Sequence, residues 1–468
     1  MVFRRGWQRR LNRLRDWLSF SADVRNLVET LNQEMDAPDR LRLRVATHPG
    51  GLVRAIAARR ISIAEAYLKL THSLAHGDHD TRLAALRHLV HYAWHAKTLT
   101  LPMNTARVQI ALMKECVRAR GDRIRQLELM HDFALASYGQ VAVIRRLLRE
   151  LGLCEVPDDG RSLRDIAMAF DGHVHDSSSL GRKTPSQLLL DAFIKGVSRL
   201  TVAYYDFDDP EVFEELYEAG RLLGIQVEVG VEFSVGPAFE RRHYMYIPPQ
   251  DGTAEGLAGF LVQHETHLRP FRDGLRTNAA SRQEGLTELL QHFNQVELPV
   301  LNARFEGVPS LLLKPVSWED VRDTVPQGRI SRAQIGYVLA EKMRPTLHRR
   351  ALYLRNQLEH ALFRQRQGGV SSWETEHIRR EYERAIADYR ECTPYVLQER
   401  YAGRAAAIDR PSCFPDLEAL GELFEAAGGR VVFIHPLSVG LNRSARVLVN
   451  GHRLVTDVET FNMSDALL

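Results

Sequence analysis

Apolar residues follow two different periods along this chain, and the switch between them divides it. From about residue 20 to 165 they recur three and four positions apart, as in Ile63, Tyr67, Leu70 and Leu74 and again in Leu83, Leu86, Leu89, Val90 and Tyr92. That is the period of amphipathic helices. Thr81, after the turn Gly77-Asp78-His79-Asp80, has the form of an N-cap. Residues 1–165 therefore read as a helical N-terminal domain, a small bundle or short solenoid with no fixed repeat length.

Beyond 165, short runs of β-branched and aromatic residues alternate with helical stretches. Strands are expected around Val174 and over 200–205, 225–232 and 243–247. Thr184-Pro185 opens a helix that Gly196 ends, and Asp209-Pro210 opens another that ends near Gly224. This order over 166–252 predicts parallel βα units. Residues 253–412 turn helical again, with segments at 253–272, 281–296, 331–343, 345–367 and 372–390. They read as an inserted helical subdomain, too long for a loop. Over 413–468 the βα order resumes. A helix over 416–427 stops at Gly428-Gly429, a strand over 431–434 runs into His435-Pro436, and a last strand covers 455–461. Ser464-Asp465 has the form of an N-cap for a helix that does not follow. Either the sequence is a piece of a longer chain or the fold is left open at that end.

Composition narrows the class without naming a function. The 468 residues, 44% hydrophobic and 26% charged, fit about three domains or one large barrel with additions. A net charge of +3 gives no global attraction to nucleic acid. No apolar run is long enough for a membrane span. Cys116, Cys154, Cys392 and Cys413 form no Cys-x-x-Cys pair and read as reduced, mostly buried thiols of a cytoplasmic protein. The N-terminus gathers Arg4, Arg5, Arg9, Arg10, Arg13 and Arg15 around Trp7, Leu11, Leu14 and Leu18. This is either a docked helix with its arginines in water or a surface for a membrane, RNA or a partner.

The chain has no nucleophile elbow, no phosphate-binding glycine loop and no zinc-ribbon cysteines. What remains is His173-Val174-His175. Alternate residues of a strand point the same way, so this pair forms one edge of a metal site. Glu232, at the end of a later strand, supplies a hard oxygen ligand to complete it. Arg241 and Arg242 stand beside His243, where a guanidinium would hold a substrate phosphate. Elsewhere, His88, His91 and His95 share one helix face that reads as packed or solvated. Arg349, Arg350, Arg355, Arg364 and Arg366, among Tyr353 and Phe363, either follow a phosphate backbone or lie in water.

In their order and spacing over about 165–468, several motifs resemble the polymerase and histidinol phosphatase (PHP) superfamily. They are His173-Val174-His175, the helix at Thr184-Pro185, the Gly-Val-Glu strand end at Glu232, the strand with His243, and Gly428-Gly429 leading to His435-Pro436. The branch most similar is that of nucleoside-bisphosphate phosphatases and RNA 5′-exonucleases, which also carry a helical insertion before the His-Pro strand. The segment 330–342 resembles a helix of that insertion.

The resemblance implies an α/β fold, a distorted (β/α)7 barrel, with metals at the C-terminal ends of its strands. It makes His173, His175, Glu232, His243 and His435 ligands to divalent manganese, zinc or iron. The implied function is a metal-dependent phosphoesterase or nuclease that hydrolyses a phosphorylated small molecule or nucleic-acid end through a metal-activated water. Three departures stand against a full set of ligands. Tyr204-Tyr205 replaces the family's Asp-His pair, and Asp206 next to it faces the other way by strand pleat. Leu180 precedes Gly181 where the family has an acid. No late Asp-x-His follows the His-Pro strand. The alternative is a degenerate PHP scaffold serving as a binding or assembly module, with the N-terminal helical domain as the partner surface.

Overall fold

The computed structural model of the chain describes residues 66–73, 77–94, 101–157, 169–181, 183–237, 241–324, 330, 332–402, 412–436, 440–450 and 453–460, with short stretches between 19 and 32. The arginine-rich N-terminus, Ile63, Leu74, His95 and Ser464-Asp465 lie outside the described residues.

The described residues form a mixed α/β structure around one six-stranded sheet. Its strands are β1 (Phe170–Val174), β2 (Arg199–Tyr204), β3 (Gln226–Val235), β4 (Arg242–Ile247), β5 (Arg430–Ile434) and β6 (Asp457–Val458), in that spatial order. β1, β2 and β3 are parallel, as are β5 and β6. β4 departs from the expected parallel order: it runs antiparallel to both neighbours. The link from Val235 to Arg242 is too short for a crossover helix, so β3 and β4 pair as a hairpin. The sheet is a curled half-barrel. Its edge strands β1 and β6 do not pair, yet the chain leaving β6 touches β1 through Glu459 and His173.

The inner face of the curl holds its own small apolar cluster of Ala203, Met245, Ile247 and Ile434, packed by Val432. Gly230 leaves room for this cluster: a Cβ there would lie 2.7 Å from the Met245 side chain, which would have to shift. The outer face joins a larger core through residues such as Phe233, Tyr244 and Phe433.

Helices α1 (His79–Trp94), α2 (Pro102–Arg118), α3 (Arg123–Ala136) and α4 (Val141–Glu150) precede the sheet. Their core is continuous with that of the sheet. The junction runs through α5 (Pro185–Lys195) and α6 (Pro210–Leu223), which follow β1 and β2. Thr184 caps α5 by accepting the Gln187 N–H, and Gly196 ends it in the left-handed region (φ 81°). At the N-terminus of α5, the Ser186 N–H donates to Glu215 of α6, and Glu215 forms a buried bidentate pair with Arg82 of α1. At its C-terminus, fully buried Arg107 of α2 donates to the carbonyls of Phe193, Ile194 and Cys154. Negative charge at the start of a helix and positive charge at its end both suit the helix dipole.

The insertion divides differently from the sequence segments. Helices α7 (Ala254–Gln263) and the first half of α8 (Glu265–His292) pack on the sheet core. From Leu286 to Leu397 a second core forms between α8, α9 (Arg332–Arg366) and α10 (Ser372–Glu391). α8 crosses the gap expected at 273–280, and α9 runs through Pro345 across the break expected at 344. Two of the thiols expected to be buried, Cys154 and Cys413, are exposed, while Cys116 and Cys392 are buried. Among the described residues no helix is long and apolar enough to cross a membrane.

Candidate metal centre

The curl brings the strand ends together at one rim. β1 delivers His173 and His175, β3 delivers Glu232, β4 starts with His243 one residue in, and β5 runs out into His435. Because β4 is antiparallel, its beginning lies at the same rim as the ends of β3 and β5, with His243 paired to Ser234 and to Ile434. The imidazole rings of His173 and His175 are 5.1 Å apart, those of His173 and His435 5.3 Å, and those of His243 and His435 6.2 Å.

Glu232 sits at the centre. Its carboxylate lies 3.5 Å from His175 Nε2, 3.9 Å from His173 Nε2 and 3.6 Å from His243 Nδ1. Burial alone would raise its pKa, but His243 beside it and the charges of His175 and His173 hold it down to about 2. It is an ionised carboxylate in a buried position.

The hydrogen bonds around the ring nitrogens decide which of them point inward. His175 Nδ1 lies 2.9 Å from the Ala203 carbonyl oxygen and 3.0 Å from Ser179 Oγ. A carbonyl only accepts, so Nδ1 carries the proton and Nε2 presents a lone pair to Glu232. Burial lowers the His175 pKa against the pull of Glu232. His173 Nδ1 donates to Glu459 Oε1 at 3.1 Å, and its Nε2 is buried without a hydrogen bond. For His173, burial lowers the pKa, but the hydrogen bond to Glu459 and the charges of Glu232, Glu459 and Asp171 outweigh it and leave it raised. Ring nitrogens of His173 and His175 and a carboxylate oxygen of Glu232 come within 4.8 Å of one another. An ionised carboxylate and two inward-facing imidazole nitrogens make a donor set that suits a divalent cation, with the outer ring nitrogens hydrogen-bonded as such ligands require.

Sequence reasoning missed Glu459. It is the partner of His173, and its Oε2 accepts the His435 backbone N–H at 2.8 Å. His435 has φ 51°, the left-handed region that costs a β-carbon residue energy, and this hydrogen bond holds it there. Glu459, His173 and His435 form a second group able to hold a metal. The acid at the rim therefore comes from beyond the His-Pro strand even though Asp-x-His is absent. Its one sequence signal is a carboxylate just beyond a short strand, β6.

The other expected positions are spread around the rim. Arg241 directly precedes β4. Arg242 lies with Tyr244 on the strand face opposite to His243. Leu180 is 39% exposed. Gly181 next to it folds the loop back on His175, where a Cβ would lie 2.1 Å from the His175 carbonyl oxygen. Tyr204 is buried and donates to Asp176 Oδ2 at 2.5 Å. Tyr205 stacks on His175 with ring centroids 6.0 Å apart, and Arg282 of α8 covers the Tyr205 ring at 4.5 Å. β2 thus gives the rim an aromatic wall where the PHP pattern places ligands.

No known protein family's model matches this chain, and no curated protein matches it. Among solved structures, it is similar to a "putative metal-dependent phosphoesterase" from Bifidobacterium adolescentis. The alignment covers 63% of this chain and 77% of the other, with a TM-score of 0.37 and 16% identity. A likeness this distant assigns no role to any residue.

Proposed function

We propose that this chain is a metal-dependent phosphoesterase of the PHP type, acting on a nucleotide or nucleic-acid phosphate ester. The observation that carries this reading is the convergence of His173, His175 and Glu232, with His173 Nε2 buried and unsatisfied. That atom is costly to leave without a partner, and a cation would supply one. His173, His175 and Glu232 would hold the ion, with His243, His435 and Glu459 at its border.

A divalent cation held there would polarise a phosphoryl oxygen and lower the pKa of a water. The chain's own residues do the positioning. Glu459 fixes the His173 tautomer and the His435 backbone, and the Ala203 carbonyl fixes the His175 tautomer. Tyr205 closes the β2 side of the site. Arg282, with no ion pair among the described residues, is the guanidinium assigned to a non-bridging phosphate oxygen. Arg241 shares that role from the β4 side, and Arg242 is left out of it by the strand pleat.

The second reading, a scaffold without catalysis, is favoured by one observation: Tyr204 is locked to Asp176, so β2 offers no metal ligand. Elemental analysis of purified protein, paired with phosphate release from bis(p-nitrophenyl) phosphate and from nucleoside bisphosphates, separates the two. Bound manganese, zinc or iron together with turnover, both lost in His173→Ala, is the expected result. Absence of metal from protein refolded or dialysed with all three ions would sink the enzyme reading and leave the scaffold.

A further inference from the structure

We propose that the helical insertion carries a second ligand site, for an amphipathic anion of about mononucleotide size, separate from the histidine rim. The insertion's own core opens into a cavity of about 710 Å³ between α9, α10 and the 300–308 segment. That volume lies in the range of small-molecule sites, which combine apolar walls with a few placed polar groups. Phe305, Leu347, Leu354 and Leu397 supply the apolar wall.

The charges at its mouth are mostly guanidinium. Arg350 is committed to structure: it donates to the Leu301 and Leu311 carbonyls and to Asn302 and lies over the Phe305 ring at 4.3 Å. Arg400 is held by Glu391 at 2.6 Å. Arg304 and Arg384 are exposed, and neither makes a hydrogen bond or ion pair among the described residues. Two acids, Glu381 and Asp388, also line the cavity. Burial holds the Asp388 carboxyl above its usual range against the pull of Arg400 and Arg304. Guanidinium groups free to fork onto an anion stand beside an apolar wall, and this pairing selects a ligand with an anionic head and an apolar body.

Local backbone geometry points to the same place. Gln398–Ala402 winds as a π-helix and puts Arg400 and Tyr401 on the cavity. A second π-turn, Phe293–Glu297, packs its Phe293 ring against Tyr401 at 5.2 Å. Such turns lose regular helical hydrogen bonding and occur often at functional sites.

The test uses the whole chain and 8-anilinonaphthalene-1-sulfonate, whose sulfonate and ring system match the two halves of the cavity. Fluorescence titration is expected to show one saturable site. Arg384→Glu and Arg304→Glu, both exposed positions without a hydrogen bond or ion pair among the described residues, are each expected to weaken binding at least tenfold while circular dichroism and the thermal midpoint hold. Metal removal by EDTA is expected to leave probe affinity unchanged, so failure of the phosphoesterase reading would not touch this result. Non-saturable probe binding, or equal affinity in both charge-reversal variants, overturns the proposal.

Discussion

At the residue scale, the chemistry rests on which ring nitrogen carries a proton. His173 and His175 each spend Nδ1 on an oxygen, and each turns Nε2 toward Glu232. Glu459 is decisive for the first of these. Glu459→Gln keeps the shape but offers an amide in place of the carboxylate. It is expected to weaken metal binding about 10- to 100-fold, the usual effect of losing a partner that orients a ligating histidine. Competition against a chromogenic chelator measures it, and unchanged affinity would remove Glu459 from the site. Gly181→Ala tests the same centre from the loop side. Its new methyl would collide with the His175 carbonyl, so a loss of about 1–3 kcal/mol in stability and weaker metal binding are expected. A melt indistinguishable from the parent's would show that the loop can yield.

Part of this centre was legible in the sequence. The pleat of a strand gives His-x-His a common direction, and Glu232 is the one acid in the apolar second half of β3. Glu459 was not, because its place depends on the curl that brings the two unpaired edges of the sheet together. No local pattern encodes that approach.

At the element scale, α5 shows why β1 holds its position. One helix end rests on Glu215 and Arg82, and the other on Arg107. Arg107→Ala would strip the buried Ile194 carbonyl of its two guanidinium donors, while the Phe193 carbonyl keeps the Gly196 N–H. The expected loss is at least about 1–3 kcal/mol, the cost of one orphaned buried group. Urea unfolding reads this as a lower midpoint, and an unchanged midpoint would mean that water replaces the side chain.

Asp191 of α5 adds a pH-dependent tie to the same junction. Burial raises its pKa, but hydrogen bonds and charge from Lys114 of α2 and from Lys183 outweigh burial and lower it. A depressed carboxylate stabilises the fold above its unfolded pKa of about 3.9, and that contribution is lost as pH falls through the lower folded value. Asp191→Asn should therefore be less stable than the parent at pH 7, and the gap should close below about pH 4. A gap independent of pH would assign the loss to packing. The helix ends here were readable from Thr184, Pro185 and Gly196. The direction of β4 was not read correctly, although the short link before it carried the information. The expected gaps at 273–280 and 344 were not found, because α8 and α9 run unbroken across them.

At the scale of the whole molecule, the number of cores matters more than the number of segments. The N-terminal helices looked like a separate domain because their hydrophobic period differs from that of the strands. Period reports the type of element and says nothing about what its apolar face meets, and here α1 to α4 share one core with the sheet. The insertion, by contrast, builds its own core from Leu286 to Leu397. Two cores joined through α8 predict two unfolding transitions in calorimetry. The proposed metal ligands all belong to the sheet, so metal should act on only one of them. At a free metal concentration about 100 times its dissociation constant, that transition gains about 2.7 kcal/mol while the other keeps its midpoint. His173→Ala should abolish the metal-dependent shift and leave the insertion's transition in place. A single transition that moves as a whole with metal would mean that α8 couples the two cores into one cooperative unit, and the rim and the insertion would then have to be treated as one thermodynamic body.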